Sequence, residues 1–296
     1  MDRRTSLRLL GSGLVGGAPA RAAGVPAPLA RPIPSTGGTL PVIGMGTWRT
    51  FDVADPAPLE EVLKVFFELG GRLLDSSPMY GRSEQVAGRL IEKLGLRGKL
   101  FVATKVWTRG RAEGIEQMEA SMAKLGARPI DLMQVHNLVD VATHLDTLRG
   151  WKKDGIVRHV GVTHYSADHH EAVAKLVASE TLDFVQINYS VGEREAEKRL
   201  LPLAKDRGVA VVANRPFAGG EMFGRLRGKP LPDWAKELGC GSWAQLLLKF
   251  VVSHPAVTSA IPATSKVAHL RDNMSAGRGS MPDEKLRRRI AAAATA

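Results

Sequence analysis

Residues 73–105 read LLDSSPMYGRSEQVAGRLIEKLGLRGKLFVATK. Two apolar runs, Leu73 to Ser77 and Leu100 to Val106, flank a helical pattern that extends from Ser83 to Leu94. A strand, a helix and a second strand of these lengths are typical of one βαβ unit. The stretch therefore predicts two parallel strands that are joined by a crossover helix.

The spacing of this unit continues along the chain. Asp75 to Lys105 is 30 residues, Lys105 to His136 is 31 and Gln186 to Asn214 is 28, and one βαβ unit takes about 30 residues. Each of these residues lies at or near the C-terminal end of a predicted strand. The remaining predicted strands are Leu40–Trp48, Asp131–Asn137, Val157–Tyr165, Phe184–Ser190, Val209–Phe217 and Val257–Thr264. The remaining predicted helices are Pro58–Leu69, Ala112–Leu125, Ala142–Asp154, Ala167–Ser179, Glu195–Arg207, Ser242–Ser253 and Val267–Ala276.

Eight such units favour a (β/α)8 barrel, or TIM barrel, with an extra C-terminal helix over Pro282 to Ala294. A doubly wound sheet is the alternative, but it usually opens with a glycine-rich phosphate turn. No GxGxxG pattern follows the first strand, because Gly44-Met45-Gly46 is followed by Thr47-Trp48-Arg49. We therefore expect an irregular Pro- and Gly-rich leader over residues 25–39 and a barrel domain over residues 40–296.

The composition is that of an ordinary globular chain. Of the 296 residues, 44% are apolar and 24% are charged, which excludes disorder, collagen and coiled coil as descriptions of the whole chain. Cys240 is the only cysteine, so a disulfide framework is excluded. No apolar run approaches the length of a membrane span, and we expect neither a membrane-spanning segment in the mature chain nor a metal site.

The balance of charge is unusual. The formal net charge is +11 and the isoelectric point is near 10.0, which suits an anionic partner such as nucleic acid or a phosphorylated cofactor. The basic residues are scattered, however, with Arg287-Arg288-Arg289 as the one dense run, and no RNA or DNA motif is present. We interpret that run as the solvated face of a helix and expect no nucleic-acid partner.

The N-terminal segment, residues 1–24, has the organisation of an export signal. The pair Arg3-Arg4 precedes a short apolar stretch, Leu9 to Ala18, and small-residue cleavage patterns follow. Residues 2–8 resemble the twin-arginine (Tat) signal of bacteria, although Ser6 stands where an aromatic residue is common. The resemblance implies recognition by the twin-arginine translocation machinery and a periplasmic location. The alternative is a disordered basic terminus without an export function, in which case the protein is cytoplasmic.

Four side chains at the strand ends have complementary chemistry. Asp75, Lys105 and His136 end successive strands, and Tyr80 follows the first of them. A free tyrosine has a pKa of about 10, too high for an efficient acid at neutral pH. A nearby ammonium group lowers that pKa, a carboxylate holds the ammonium, and a neutral imidazole can orient a carbonyl oxygen. Each residue alone has an ordinary structural explanation, but their joint placement predicts a site that donates a proton.

The sequence blocks around these residues resemble the aldo-keto reductase family. The resemblance extends from Leu40 to Met274 and includes a catalytic Asp and Tyr block, a lysine block, a histidine block and a fifth-strand cofactor motif, which are Gly70–Glu84, Ala103–Val106, Gln134–Asn137 and Gly161–Tyr165. It implies a (β/α)8 barrel that binds NADPH and reduces aldehydes or ketones. It also implies that the catalytic tetrad is Asp75, Tyr80, Lys105 and His136.

The same resemblance implies residues that hold the cofactor. Thr163, His164 and Gln186 correspond to the positions around the nicotinamide carboxamide, with His164 where Asn is usual. Asn214 replaces the aromatic residue that stacks on nicotinamide, and Phe217 either compensates for it or is a packed loop residue. The positions that correspond to the adenosine-phosphate segment are Thr264, Ser265, Lys266, Arg271 and Asn273. Their hydroxyls and cations suit a 2′-phosphate, so we expect NADPH, with NADH as the alternative.

Loops set the choice of substrate in this family. The insertion Phe217 to Gly239 is the predicted lid, and Trp48, Met79 and Trp107 are predicted to line an open pocket for a small carbonyl substrate. The sequence therefore predicts an NADPH-dependent oxidoreductase that reduces an aldehyde or ketone by hydride transfer, with Tyr80 as general acid. The alternative is a regulatory protein that binds a nicotinamide nucleotide on the same barrel.

Overall fold

The computed structural model describes residues 27–296, and the predicted signal over residues 1–24 lies outside them. The two short strands β1 (Ala30–Pro32) and β2 (Thr39–Pro41) pair antiparallel. The next eight strands form one parallel sheet in chain order, and they are β3 (Met45–Gly46), β4 (Leu73–Asp75), β5 (Phe101–Val106), β6 (Ile130–His136), β7 (Val157–His164), β8 (Phe184–Asn188), β9 (Ala210–Asn214) and β10 (Val257–Ala260). Parallel bridges from Ile43 to Ala260 and from Gly46 to Ala263 join the first and last of these strands. The sheet therefore forms a nearly closed barrel, and the predicted (β/α)8 fold is confirmed.

Helices surround the barrel between the strands. They are α1 (Ala57–Glu68), α2 (Ser83–Lys93), α3 (Arg111–Leu125), α4 (Val141–Lys153), α5 (His170–Ser179), α6 (Leu200–Asp206), α7 (Glu221–Arg225), α8 (Trp243–Ser253), α9 (Val267–Ser275) and α10 (Glu284–Thr295). The hydroxyl of Ser242 caps α8 by accepting a hydrogen bond from the Gln245 amide. Helix α2 packs closely on α3 at Gly88, where a Cβ atom would lie 1.8 Å from the Lys124 carbonyl oxygen. None of the helices in the described part of the chain is long and apolar enough to cross a membrane.

The N-terminal end of the barrel differs from the prediction. The run Leu40–Trp48 is not one strand, because the chain leaves β2 at Pro41, which has no N–H group, before β3 begins. Part of the expected irregular leader is instead strand β1. The Arg31 side chain on β1 donates hydrogen bonds to main-chain carbonyls near the start of β10, and Ile33 packs into the barrel interior. The hairpin β1–β2 therefore covers this end of the barrel.

The C-terminal helix α10 also differs in one respect. The run Arg287 to Arg289 is not a uniformly solvated face, because Arg287 is buried while Arg288 and Arg289 are exposed. The guanidinium of Arg287 donates to Tyr189 Oη at 2.6 Å and to Glu197 Oε1 at 2.9 Å. Helical periodicity places Arg287 on the inward side of α10 together with Ile290 and Ala291, which are also buried.

Candidate active site

The four residues of the predicted tetrad meet at the C-terminal ends of the strands. Asp75 ends β4, Lys105 lies in β5 and His136 ends β6, while Tyr80 lies in the loop between β4 and α2. Asp75, Tyr80 and His136 line a cavity of about 570 Å³. Lys105 is fully buried behind this wall. The structure therefore brings the whole predicted tetrad together.

Asp75 and Lys105 form a buried ion pair. Lys105 Nζ donates to Asp75 Oδ2 at 2.6 Å and to the main-chain oxygen of Ser76 at 2.6 Å. Burial acts to lower the pKa of Lys105, but the Asp75 carboxylate and Tyr80 outweigh it and raise that pKa. Lys105 is therefore a permanent cation at neutral pH.

Tyr80 lies next to this cation. Lys105 Nζ is 5.1 Å from the centre of the Tyr80 ring. Burial raises the pKa of Tyr80 above its ordinary value, and the charge of Lys105 opposes that rise while Asp75 adds to it. The expectation that the ammonium would bring the pKa of Tyr80 below its usual value is therefore wrong for the protein alone, because loss of hydration outweighs the single cation. Tyr80 is a protonated phenol, which is the form that a proton donor needs.

His136 is neutral and held by a serine. Burial, together with the charges of Lys105 and His164, lowers the pKa of His136 to about 2. Its Nδ1 lies 3.0 Å from Ser77 Oγ, which itself accepts a long hydrogen bond of 3.4 Å from the Met79 amide. The Ser77 hydroxyl can donate to Nδ1 while it accepts from the Met79 amide, an arrangement that is compatible with a ring proton on Nε2. The ring lies edge-on to Tyr80, with 6.0 Å between centroids.

Three of the predicted nicotinamide residues line the cavity, namely Thr163, Gln186 and Asn214. Thr163 Oγ1 donates to Gln186 Oε1 at 3.2 Å. Asn214 Nδ2 donates to the main-chain oxygen of His164 at 3.3 Å, while its buried Oδ1 has no hydrogen-bond partner among residues 27–296. His164 itself does not line the cavity, because its ring stacks on His169 at 3.7 Å and its Nδ1 accepts from the Ser166 amide.

The predicted adenosine-phosphate residues do not line this cavity, and they extend from the turn before α9 to Asn273, a buried residue near the end of that helix. They are Thr264, Ser265, Lys266, Arg271 and Asn273. Thr264 Oγ1 accepts a hydrogen bond from the Lys266 amide at 3.1 Å, which shapes the turn into the helix. Lys266 and Arg271 are exposed, and neither forms an ion pair within residues 27–296. Both cations are therefore available to an anionic ligand.

The three predicted substrate residues divide into two groups. Trp48 and Met79 line the cavity, and each is 39% exposed. Trp107 does not line it, and its main chain is held by Gln117. Phe217 lines the cavity and also packs on Phe223, with 4.8 Å between the ring centroids.

Several cavity residues were missed by the sequence analysis. They are Arg49, Asn137, Tyr165, Arg215 and Phe223. Four of them directly follow a predicted site residue, at Trp48, His136, His164 and Asn214. Because ligands bind at the C-terminal ends of barrel strands, the residue after each strand end was itself a signal that could have found them.

The remaining polar groups of the cavity fit a nicotinamide nucleotide. Arg49 and Arg215 are the lining cations, and they flank the end of β10 from the neighbouring strands. Gly219 and Gly220 line the same side and adopt φ values of 67° and 102°, a backbone form that glycine allows and that leaves room for a ligand. The unpartnered Oδ1 of Asn214 offers an acceptor to an amide donor. Among residues 27–296 no group of three or more metal-ligating side chains is found.

Comparison with known proteins agrees with this geometry. Residues 42–292 match the sequence model of the Aldo/keto reductase family. The chain is 32% identical over 247 residues to the methylglyoxal reductase YeaE of Escherichia coli (strain K12), covering 79% of this chain and 84% of that protein. It is 28% identical over 240 residues to an NADH-specific methylglyoxal reductase of the same strain, covering 69% and 72%. A solved aldo-keto reductase from Klebsiella pneumoniae in complex with NADPH superposes with a TM-score of 0.71 at 25% identity, covering 85% of this chain and 90% of that one. The chain therefore belongs to the Aldo/keto reductase family.

Proposed function

We propose that the protein reduces an aldehyde or ketone to an alcohol with NADPH, and that Tyr80 is the general acid. One observation carries the proposal. The Asp75–Lys105 ion pair is buried beside Tyr80, and both Tyr80 and a neutral His136 face the same cavity. A cation, a protonated phenol and a neutral imidazole converging on one space can polarise and protonate a carbonyl oxygen.

The side chains of the chain act on the substrate oxygen. Bound NADPH supplies the hydride that reduces the carbonyl carbon. Tyr80 donates its phenolic proton to the oxygen as negative charge develops there, and Lys105 stabilises the tyrosinate that remains. The Nε2–H of His136 donates a hydrogen bond to the same oxygen and orients it. Thr163, Gln186 and Asn214 would hold the nicotinamide end of the cofactor.

The proposal is tested by following NADPH oxidation by the purified protein with a panel of carbonyl compounds. Tyr80→Phe should lose at least a hundredfold in kcat, while its Kd for NADPH stays within a few-fold of wild type, because the phenol supplies a proton rather than binding energy. Tyr165→Phe is the matched control, since its phenol lies on the same cavity and is proposed to take no part in proton transfer. Undiminished turnover in Tyr80→Phe would remove the acid assignment.

A preference for NADPH over NADH is part of the proposal, with Lys266 and Arg271 as the phosphate-binding cations and Thr264 and Ser265 as hydroxyl donors. One charge-assisted hydrogen bond contributes about 1.5–3 kcal/mol, or roughly tenfold to hundredfold in affinity. We expect Lys266→Ala to reduce the ratio of the two dissociation constants by about tenfold. Lys153→Ala on α4, which removes an exposed lysine elsewhere on the barrel, should leave the ratio unchanged. A ratio near one in wild type would identify NADH as an equal cofactor.

The substrate is proposed to be an apolar or aromatic carbonyl compound. The mouth of the cavity exposes large apolar side chains, with Tyr165 at 53% and Phe223 at 45% in addition to Trp48 and Met79. Burying one aromatic ring against such side chains contributes about 2 kcal/mol, or roughly 30-fold in kcat/KM. We therefore expect kcat/KM for 4-nitrobenzaldehyde to exceed that for methylglyoxal, the substrate in the names of the Escherichia coli relatives. Phe223→Ala should narrow this difference, whereas Trp107→Ala should not.

The alternative function is nucleotide binding without turnover. The observation behind it is that His164 is turned away from the cavity and Asn214 offers no aromatic face. A protein that binds NADPH tightly but reduces none of the carbonyl compounds tested would favour this alternative. Measurable reduction that disappears in Tyr80→Phe excludes it.

We further propose export of the folded protein to the periplasm by the twin-arginine route. The proposal rests on the residue pattern of positions 1–24. A single cysteine, Cys240, also means that folding needs no oxidising compartment. Fractionation of cells that express wild type and the double variant Arg3→Lys, Arg4→Lys tests it. We expect shortened wild type in the periplasm and full-length variant in the cytoplasm, whereas two uncut cytoplasmic proteins would contradict export.

A further inference from the structure

The carboxylate of the catalytic Asp75 is held on both sides. Its Oδ2 accepts from Lys105, whereas its Oδ1 accepts from the side-chain amides of Gln186 at 2.8 Å and Gln134 at 3.4 Å. Asp75, Gln134 and Gln186 are all buried, with at most 2% of each residue exposed. The two amides therefore take the place of part of the hydration of this carboxylate.

The two glutamines reach Asp75 from different positions. Gln186 lines the cavity, and its Oε1 accepts from Thr163, so one amide connects the cavity wall to Asp75. Gln134 does not line the cavity and pairs in register with Lys105 on the neighbouring strand, beneath the site. Its own Oε1 is buried and has no hydrogen-bond partner in the part of the chain that the structure describes. Because an unpartnered buried acceptor costs stability, the placement of Gln134 is better explained by what its Nε2 holds than by packing.

These contacts have a direct consequence for the ion pair. A carboxylate that accepts hydrogen bonds from neutral amides keeps its charge but spreads it over more partners. If the amides are removed, Asp75 Oδ1 is left without strong donors. Lys105 is then the main group that stabilises the negative charge of the carboxylate. The Asp75 charge then acts more strongly on its surroundings, including Tyr80, and disfavours the tyrosinate.

We propose that Gln134 and Gln186 are positioning residues that hold the carboxylate of Asp75, and through it the Lys105 ammonium, in the arrangement that Tyr80 needs to act as an acid. The proposal rests on the carbonyl reduction proposed above. It adds Gln134, a residue that touches neither cofactor nor substrate, to the residues on which catalysis depends. It also gives Gln186 a second task besides its place in the wall of the nicotinamide pocket.

The kinetic test uses variants that keep side-chain volume but remove the amide, Gln134→Met and Gln186→Met. We expect kcat for carbonyl reduction to fall about threefold to tenfold in Gln134→Met and more in Gln186→Met, whose hydrogen bond is shorter. In Gln134→Met the KM of the carbonyl substrate and the Kd of NADPH should stay unchanged. The matched control is Asn188→Leu, which removes a fully buried amide two residues beyond Gln186 whose Oδ1 bonds to His170 instead. Asn188→Leu should leave kcat unchanged.

A double-mutant cycle separates this role from a general effect on folding. In an Asp75→Asn background the carboxylate is gone, so Gln134→Met should have no further effect on kcat. An equal loss in both backgrounds would overturn the proposal, as would an unchanged kcat in both glutamine variants of the wild-type chain.

A spectroscopic measurement keeps the test independent of turnover. The chain has three tyrosines, so ¹³C labelling at the tyrosine ring carbon that bears the hydroxyl gives few signals, and Tyr80→Phe identifies that of Tyr80. We expect a smaller tyrosinate fraction for Tyr80 at pH 11 in Gln134→Met and Gln186→Met than in wild type or Asn188→Leu. Equal fractions in all four proteins would refute the positioning role even if no carbonyl substrate were reduced. If wild type shows no turnover but the glutamine variants do have a smaller tyrosinate fraction, only the proposed reaction is refuted.

Discussion

Ser77 is the residue that we expect to set the tautomer of His136. Its hydroxyl lies 3.0 Å from Nδ1, and a hydrogen bond donated to Nδ1 would keep the ring proton on Nε2, the nitrogen that we propose donates to the substrate oxygen. We expect Ser77→Ala to lower kcat/KM for carbonyl reduction by about tenfold or more, because part of the histidine would then present a lone pair to that oxygen. The ¹⁵N chemical shifts of His136 should show a mixture of tautomers in this variant. Ser76→Ala removes the neighbouring buried hydroxyl, which bonds to Thr47, and should change neither measurement.

The buried ion pair of Lys105 and Asp75 leads to a prediction about stability. Lys105→Met leaves a buried carboxylate without its cation, which typically costs about 3–5 kcal/mol. We expect this loss in the free energy of urea-induced unfolding, together with loss of activity and a further rise in the pKa of Tyr80. The double variant Lys105→Met, Asp75→Asn should recover most of the stability and none of the activity. A single variant as stable as wild type would show that the pair is not buried in solution.

The sequence predicted which residues meet at the site better than it predicted what each one touches. The meeting of Asp75, Lys105 and His136 could be predicted because strand ends recur at a fixed spacing, and parallel strands bring their ends together. The contact of Ser77 with His136 spans 59 residues, and that of Gln186 with Asp75 spans 111. Such contacts depend on side-chain rotamers in three dimensions, which no local pattern encodes. The same limit applies to His164. Its ring stacks on that of His169, beyond the end of the strand, and the sequence pattern did not predict this contact.

At the scale of an element, one buried arginine makes the polar contacts of helix α10 with the barrel, beside the apolar packing of Ile290 and Ala291. Arg287 donates to Tyr189, Glu197 and the Phe250 carbonyl, and its guanidinium lies 4.3 Å from the Phe250 ring centre. Arg287→Leu removes these hydrogen bonds from a buried cluster, although Glu197 keeps its bonds from Tyr189 and Arg194, so we expect a loss of about 1.5–3 kcal/mol in the free energy of unfolding. Amide hydrogens of α10 should also exchange faster in this variant.

The adjacent arginine provides a matched control for this helix. The Arg288 side chain is 65% exposed and pairs only with Glu284 of the same helix. Arg288→Leu should therefore change stability by no more than about 0.5 kcal/mol. Equal effects of the two substitutions would mean that α10 is not anchored through Arg287. The run of three arginines could not distinguish these roles, because charge composition does not reveal which side of a helix faces the barrel.

Element boundaries in the barrel were predictable where one element is long and uniform. The helices α1 to α4 and the strands β5 to β7 begin and end within two residues of their predicted limits. The boundaries of the first barrel strand were not predictable, because β3 has only two residues. Much of the predicted apolar run belongs instead to β2 and to the turn between β2 and β3. A short strand at the point of closure has too few residues for a period to be read.

For the whole molecule, the buried histidines determine how stability depends on pH. Burial lowers the pKa of His136 to about 2, and that of His254 to about 4, below the ordinary value of 6.5. Between these values and 6.5 the unfolded chain binds protons that the folded chain does not, so stability is fully present above pH 6.5 and decreases as the pH falls. For His136 alone the loss from pH 7 to pH 5 is about 2 kcal/mol. The carboxylates with lowered pKa, such as Asp183 and Glu197, add to the loss as the pH falls through their ordinary pKa values and below.

The measurement is the free energy of urea-induced unfolding at pH 7 and pH 5. Wild type should lose stability over this range, and His136→Gln should lose about 2 kcal/mol less than wild type, whatever its stability at pH 7. His269→Gln on α9, where the imidazole is exposed, should keep the wild-type dependence. If His136→Gln and wild type decline in parallel, His136 is protonated in the folded protein near pH 6. A charged imidazole at that pH would also contradict the neutral donor required for carbonyl reduction, so one titration tests the fold and the mechanism together.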